Sequence, residues 1–302
     1  MLAGSTGIFY SSILFSYTGI RLSISFGIRK FLICLTIALF SFFMPQLLTA
    51  VFFSTINFNS VSLGIIVGLN IANTALVIGI ISLIKPLIID RSIMKFEFIL
   101  LLIIYALFYV LSIDSILGYF DAMFTFIFFT LFSFLSFMKS RNSEKIEAED
   151  KLYRTKKNYF LIICGALLLI ISTFLIADGA IIIIDKFKLN GFIFGITAIS
   201  TLIVIPETAF LIYYSIKHKE EFSISKILSS NIYTLLGITA IVTAFNPIKI
   251  EDYIINFHYP VMIGFLLIVI TLIFFYPSLR ITRHKGFILV FLYILYLASM
   301  VL

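Results

Sequence analysis

Charged residues are scarce here. They make up 12% of the 302 residues, against roughly 25% in soluble globular domains, and with 61% of residues hydrophobic the shortage excludes a water-soluble fold. Cysteine is scarcer still: Cys34 and Cys164 are the only two, each inside an apolar run. Without a CxxC or other metal-ligand spacing they exclude a thiolate metal site and read as packing residues. The three histidines, His218, His258 and His284, fall near the ends of apolar runs, which argues against a buried zinc site. Paired catalytic carboxylates, an HExxH motif and a Ser–His arrangement are all missing, so an intramembrane enzyme is not expected. Polar stretches are short as well. The longest, residues 139–157, is too small to fold as a domain, which leaves function to the apolar segments. The amino terminus lacks the basic n-region of a secretory signal, its first basic residue being Arg21, and is read as a retained first span.

What fills the sequence is a near-continuous series of apolar runs, each about as long as the roughly 20 residues a helix needs to cross a bilayer. Breaks at charged or turn-rich positions divide it into spans near 4–20, 31–54, 61–84, 96–113, 117–138, 158–182, 190–215, 223–245, 259–277 and 286–302. The expected fold class is therefore an all-α integral membrane protein of about ten transmembrane helices. The net charge of +7 reflects orientation rather than nucleic-acid binding. With the N-terminus outside, all of the 22 Lys and Arg except Lys186, Lys188 and Lys249 fall on inner segments, as the positive-inside rule requires. Both termini are then outside and the basic stretch 139–157 is cytoplasmic, in a multi-pass protein of the cell membrane surrounded by lipid.

The chain also repeats itself. Displaced by 161 residues, Thr36 falls on Thr197, Pro45 on Pro206, Ser54 on Ser215, Ser62 on Ser223, Asn70 on Asn231 and Pro86 on Pro247, and Asp90 meets Glu251. Proline and asparagine carry the match, because chance similarity among Ile, Leu and Phe would not align them. The expected organisation is one five-helix repeat over 1–138, a cytoplasmic basic linker over 139–157 and a second five-helix repeat over 158–302. Five is odd, so the second copy enters the membrane inverted relative to the first, an arrangement typical of secondary transporters.

Few polar side chains fall at mid-membrane depth, where each is costly and defaults to function. Pro45–Gln46 lies in the second span and Pro206–Glu207 in the seventh. Asn70 and Asn73 lie in the third, and Ser229, Ser230, Asn231 and Thr234 in the eighth. Pro45 and Pro206 are expected to kink or break their helices and free the carbonyls four residues earlier, and freed carbonyls, amides and hydroxyls are cation ligands. Glu207 adds the one formal charge at that depth and is the candidate metal ligand. For each Asn and Ser the alternative is a hydrogen bond between helices. Asp178, Asp114 and Asp121 read as interfacial or loop charges.

At Pro45–Gln46, Gly68–Leu69–Asn70 and Asn73, and again at Pro206–Glu207, Ser229–Ser230–Asn231 and Thr234, the sequence resembles the two alpha repeats of the calcium/cation antiporter superfamily, which includes the sodium/calcium exchangers. Each of that family's repeats reads approximately G-T-S-x-P-E, followed by G-S-N and an acidic or amide residue three positions beyond. The resemblance implies an inverted-repeat antiporter that moves an inorganic cation (calcium, sodium or a proton) without a cofactor, and an ion site at Glu207, Gln46, Asn70, Asn73, Ser230, Asn231 and Thr234. It also exposes departures. Gln46 stands where the first motif glutamate is expected, Phe42–Phe43 and Ile203–Val204 where the hydroxyl pairs are, Leu69 for the first motif serine and Thr234 for an acid or amide. Calcium prefers six to eight oxygen ligands with carboxylates among them, so one carboxylate suits a monovalent ion or a proton better. Two functions follow, a cation antiporter with a remodelled site and a transport-incompetent scaffold or regulatory protein of the same fold. The topology is checked by labelling a cysteine placed at Ala148 from either side of the membrane: it reacts from the cytoplasmic side, and labelling only from outside contradicts the orientation.

Overall fold

Ten helical segments and two short strand pairs make up the computed structural model, which describes residues 1–25, 43–89, 94–140, 156–217, 221–274 and 279–300. Cys34, Thr36, Phe42, Asp90, His218 and most of the expected linker, residues 141–155, lie outside the described residues. The segments are α1 (Leu2–Ser25), α2 (Met44–Thr55), α3 (Asn59–Ile84), α4 (Ile99–Leu111, entered through a π turn at Met94–Phe98) and α5 (Tyr119–Ser140). They continue as α6 (Lys156–Phe187), α7 (residues 191–217), α8 (residues 221–245), α9 (Ile254–Phe274) and α10 (Arg283–Ala298). Six of them are long and apolar enough to cross a membrane. The α9 helix begins earlier than the apolar run implied, so His258 is not at a wet span end: it is buried, and its Nδ1 lies 2.8 Å from the Tyr296 hydroxyl on α10.

Burial separates inner helices from outer ones. In the most apolar stretch of each, 89% of α3, 78% of α8 and 61% of α7 is buried, against 39% of α9, 33% of α6 and 11% of α5. The outer helices present Phe, Ile and Leu outward, among them Phe120, Phe126, Phe134, Phe160, Ile163, Ile171, Phe287 and Phe291. That is the surface a bilayer stabilises and water does not. Asp178 is exposed on α6, while Asp114 and Asp121 accept the Ile116 and Gly118 backbone N–H groups around the turn before α5.

Contacts in the first half have counterparts in the second. The α2 helix packs on α8 and α7 on α3; the end of α3 packs on α10 and the end of α8 on α5. Pro86 follows α3 and leads into β1 (Leu87–Ile88), while Pro247 follows α8 and leads into β3 (Ile248–Lys249); the fixed φ and missing N–H of proline favour leaving the helix for an extended strand. β2 (Ile116–Leu117) precedes α5 and β4 (Arg280–Ile281) precedes α10. β1 pairs antiparallel with β4, and β2 with β3. Each half thus lends a strand to the other.

The tightest crossing joins α3 to α7. A Cβ on Gly64 would lie 2.3 Å from the Phe192 carbonyl oxygen, and one on Gly195 2.5 Å from that of Val61, so the two backbones touch with no room for a side chain. In lipid, where apolar surface gains little from leaving its solvent, close backbone approach through small residues is a main source of helix association. Asn190 fixes where α7 starts, its Oδ1 accepting the backbone N–H of Phe192 at 2.9 Å and of Ile193 at 3.2 Å, which satisfies donors that a helix start otherwise leaves open. Replacing Gly195 by Val is expected to destabilise the bundle by about 2 kcal/mol or more, since the clash is with backbone and not with a movable side chain; thermal unfolding in detergent measures it.

Candidate functional site

Helices α2, α3, α7 and α8 carry two buried polar groups. Gln46 of α2 and Glu207 of α7, 161 positions apart, touch directly: the Gln46 Nε2 donates to Glu207 Oε2 at 3.1 Å. Each is 1% exposed. Thr234 of α8 donates its hydroxyl to Gln46 Oε1 at 2.8 Å and to the Ser230 carbonyl at 2.8 Å. The Ser230 hydroxyl lies beside the Glu207 carboxylate. Gln46 therefore bridges α7 and α8, its amide nitrogen serving one and its carbonyl oxygen the other.

A second group lies on α3 and α8. Asn73 Nδ2 donates to Asn231 Oδ1 at 3.0 Å, and Asn231 Nδ2 points at the Thr74 hydroxyl (2.9 Å), the Tyr105 hydroxyl on α4 (3.2 Å) and the Asn70 carbonyl (3.4 Å). Asn70 Nδ2 donates to the Ile66 carbonyl at 2.8 Å. All seven residues proposed from the sequence thus fall on these helices, Gln46, Glu207, Ser230 and Thr234 in one hydrogen-bonded group and Asn70, Asn73 and Asn231 in the other.

Local helix geometry presents these side chains. A π turn at Asn73–Val77 in α3 is matched by one at Tyr233–Ile238 in α8, and the extra residue in each loosens the backbone ladder where Asn73 and Thr234 sit, as π bulges commonly do at functional sites. The expected break at Pro206 is not found. α7 runs through it as helix and carries its irregularity earlier, in a π turn at Gly195–Ile199. A helix accommodates proline by forgoing a single N–H bond if it is held by packing on other helices, and α3 holds α7 tightly. Pro45 sits in the first turn of α2, where its missing N–H matters little, and the Thr49 hydroxyl caps its carbonyl at 2.7 Å.

The chemistry of the cluster lies in what is left over. Among the described residues, Glu207 Oε1, Asn70 Oδ1 and Asn73 Oδ1 are buried without a hydrogen-bond partner. All three are acceptors. A buried oxygen without a donor is unfavourable, and each of the three is open to a donor or a cation. Where hydroxyls would be expected before the prolines, Phe43 packs edge-on to Tyr233 (centroids 6.0 Å apart) and stacks with Phe129 (6.2 Å), and Val204 is buried. Apolar packing replaces oxygen there.

Three residues of this neighbourhood went unrecognised in the sequence. Thr74 and Tyr105 complete the hydrogen bonding of Asn231; a hydroxyl beside Asn73 was the only available signal for Thr74, and Tyr105 in an unbroken apolar run offered none. Lys226, counted with the loop bases, is 8% exposed in α8, and its charge acts on Glu207. It leaves the set of bases that orient the chain.

The sequence profile of the sodium/calcium exchanger protein family matches residues 1–138 and 157–302. The chain belongs to that family. Its members are membrane transporters, not enzymes. Relatives include an uncharacterized membrane protein of Methanocaldococcus jannaschii, MJ0091, 24% identical over 99% of this chain and 96% of its own length. The inner membrane protein YrbG of Escherichia coli is 22% identical over 87% of this chain and 84% of its own, and CaxA of Alkalimonas amylolytica, a candidate antiporter, is 24% identical over 82% and 80%. The fold is similar to solved structures of the sodium-calcium exchanger NCX_Mj, one with a TM-score of 0.72 at 22% identity, covering 99% of this chain and 96% of that one. An all-α, multi-pass membrane fold of the exchanger family is thereby established.

Asn231 is the hub of the hydrogen bonding in this exchanger-family chain, and Asn231→Ala is expected to lower thermal stability in detergent by about 2 kcal/mol, because it strips partners from Asn73, Thr74 and Tyr105 together. A loss below about 0.5 kcal/mol would mean that these bonds re-form elsewhere.

Proposed function

We propose that this protein is a secondary-active antiporter of inorganic cations, working by alternating access, with a remodelled ion site in which Glu207 is the single charged ligand. The same reading takes the chain as ten spans in two inverted five-helix repeats, residues 1–138 and 158–302, with both termini outside and the 139–157 linker in the cytoplasm. The reciprocal strand exchange and the reciprocal helix contacts support the repeat. Gln46, Asn70, Asn73, Ser230, Asn231 and Thr234 complete the oxygen set around Glu207.

One observation carries this reading: Glu207 and Gln46, at equivalent positions of the 161-residue offset, meet at 3.1 Å with both side chains buried, and Glu207 Oε1 is an acceptor without a partner, as are Asn70 Oδ1 and Asn73 Oδ1 on α3. The cargo follows from charge. A single carboxylate balances a sodium ion or a proton but leaves calcium about one charge short in a low-dielectric surrounding. Coupling to a monovalent cation or to protons is therefore favoured over ordinary sodium/calcium exchange. Phe43 and Val204 in place of hydroxyls favour a transport-incompetent scaffold as the second reading, and flux through the unmodified protein separates the two.

The test is ion flux in proteoliposomes under calcium, sodium, potassium and proton gradients in turn, joined to isothermal titration. Glu207→Gln, which preserves shape and hydrogen-bonding capacity, is expected to abolish cation binding, with thermal unfolding measured alongside to check that the fold is retained. Binding by the unmodified protein weakens as pH falls, because proton and cation compete for one carboxylate. Gln46→Glu shifts preference toward divalent ions, as two carboxylates then face one ion. Wild-type binding by Glu207→Gln makes Glu207 structural and removes the main support for a remodelled exchanger.

A further inference from the structure

Among the described residues of α2, α3, α7 and α8, Glu207 and Lys226 are the only buried charged side chains, and the antiporter reading uses only the first. Lys226, Ser230 and Thr234 follow one another at i+4 spacing on α8, so they share one helical face, each about 6 Å along the axis from the next. That face is turned to the site. Thr234 is bonded to Gln46, which is bonded to Glu207, and Ser230 stands beside the carboxylate. Lys226, one turn before Ser230 on that face, is 8% exposed, and its flexible four-carbon stem gives the ammonium the reach to approach the site. It acts on Glu207 electrostatically.

We propose that Lys226 is a tethered counter-cation for Glu207, neutralising the carboxylate when no ion is bound, competing with the transported cation for it and discriminating against divalent ions. The proposal rests on Glu207 being the cation ligand. Its physical basis is simple: two opposite charges buried together are tolerable where either alone is not, and an ammonium fixed near the site repels an incoming ion in proportion to that ion's charge. Lys226 thus lowers affinity for every cation, and for calcium with twice the exponent that it applies to sodium. The neighbouring acid to set against Glu207 is Glu97, at the start of α4, whose Oε1 accepts the Ser225 hydroxyl at 2.7 Å.

Isothermal titration of the full chain in detergent with sodium chloride and calcium chloride, choline chloride holding ionic strength constant, tests the proposal on Lys226→Met, Lys226→Arg and Glu207→Gln. Lys226→Met is expected to tighten sodium binding on the order of ten-fold and calcium binding on the order of a hundred-fold, and Lys226→Arg, which keeps the charge, to return both toward wild type. If Lys226→Met fails to fold, adding Glu207→Gln restores thermal stability because both charges are then gone, whereas adding Glu97→Gln does not. Unchanged affinities in Lys226→Met, with binding lost in Glu207→Gln, overturn the role of Lys226 alone. Rescue by Glu97→Gln instead of Glu207→Gln assigns the lysine to the other acid and overturns it too. Wild-type binding in Glu207→Gln removes the ligand on which the proposal stands, and the site reading falls with it.

Discussion

A carboxylate with 1% exposure inside a bundle wrapped in hydrocarbon is the constraint to which the rest of this structure answers. Left alone, an ion in such a place is unfavourable by several kcal/mol even after relaxation. Everything within reach of Glu207 mitigates that: the Gln46 amide on one oxygen, Ser230 beside it, the Lys226 charge on the neighbouring helix. To bring those groups together, α2, α7 and α8 must converge at one depth, and α3 must lie close enough to α7 for their backbones to touch at Gly64 and Gly195. The glycines thus set how closely α3 and α7, and the polar side chains they carry, approach each other.

The two halves share a scaffold but not a charge distribution. At matching positions stand Gln46 and Glu207, Asn73 and Thr234, Phe43 and Val204. The asymmetry has a consistent sense. The second half supplies Glu207, and the first supplies Gln46, whose amide donates to it. In a transporter built of two inverted copies, alternating access depends on one half rocking against the other around a site they share. Gln46 is bonded to both α7 and α8, and Asn231 to both α3 and α4, so such rocking would have to re-form these bonds.

Periodicity, scarcity of charge and a few prolines and asparagines made much of this legible beforehand. Apolar runs show helices, because lipid admits no unsatisfied backbone. An offset of 161 that pairs Pro45 with Pro206 and Asn70 with Asn231 reveals duplication, since proline and asparagine are rare enough in apolar helices to be informative. Polar residues at mid-span depth mark the cluster, because few survive there without a role. The sequence by itself determined, then, that the chain is a membrane bundle of helices and which side chains are too polar to face lipid, and it pointed to an internal repeat.

Only the tertiary structure decided how those side chains meet. That Gln46 bonds Glu207, that Asn231 gathers Thr74 and Tyr105 from two helices, and that the leftover atoms are all oxygens depend on helix rotations and crossings that no one-dimensional pattern encodes. Pro206 shows the same division: the sequence marks a lost hydrogen bond, but whether the helix breaks there depends on what packs against it, and α7 runs through as helix against α3. Lys226 is the clearest case. Near the start of a span a lysine can snorkel to water, and local sequence does not distinguish that from a lysine turned inward. The fold buried it, near enough to Glu207 for its charge to act on the carboxylate.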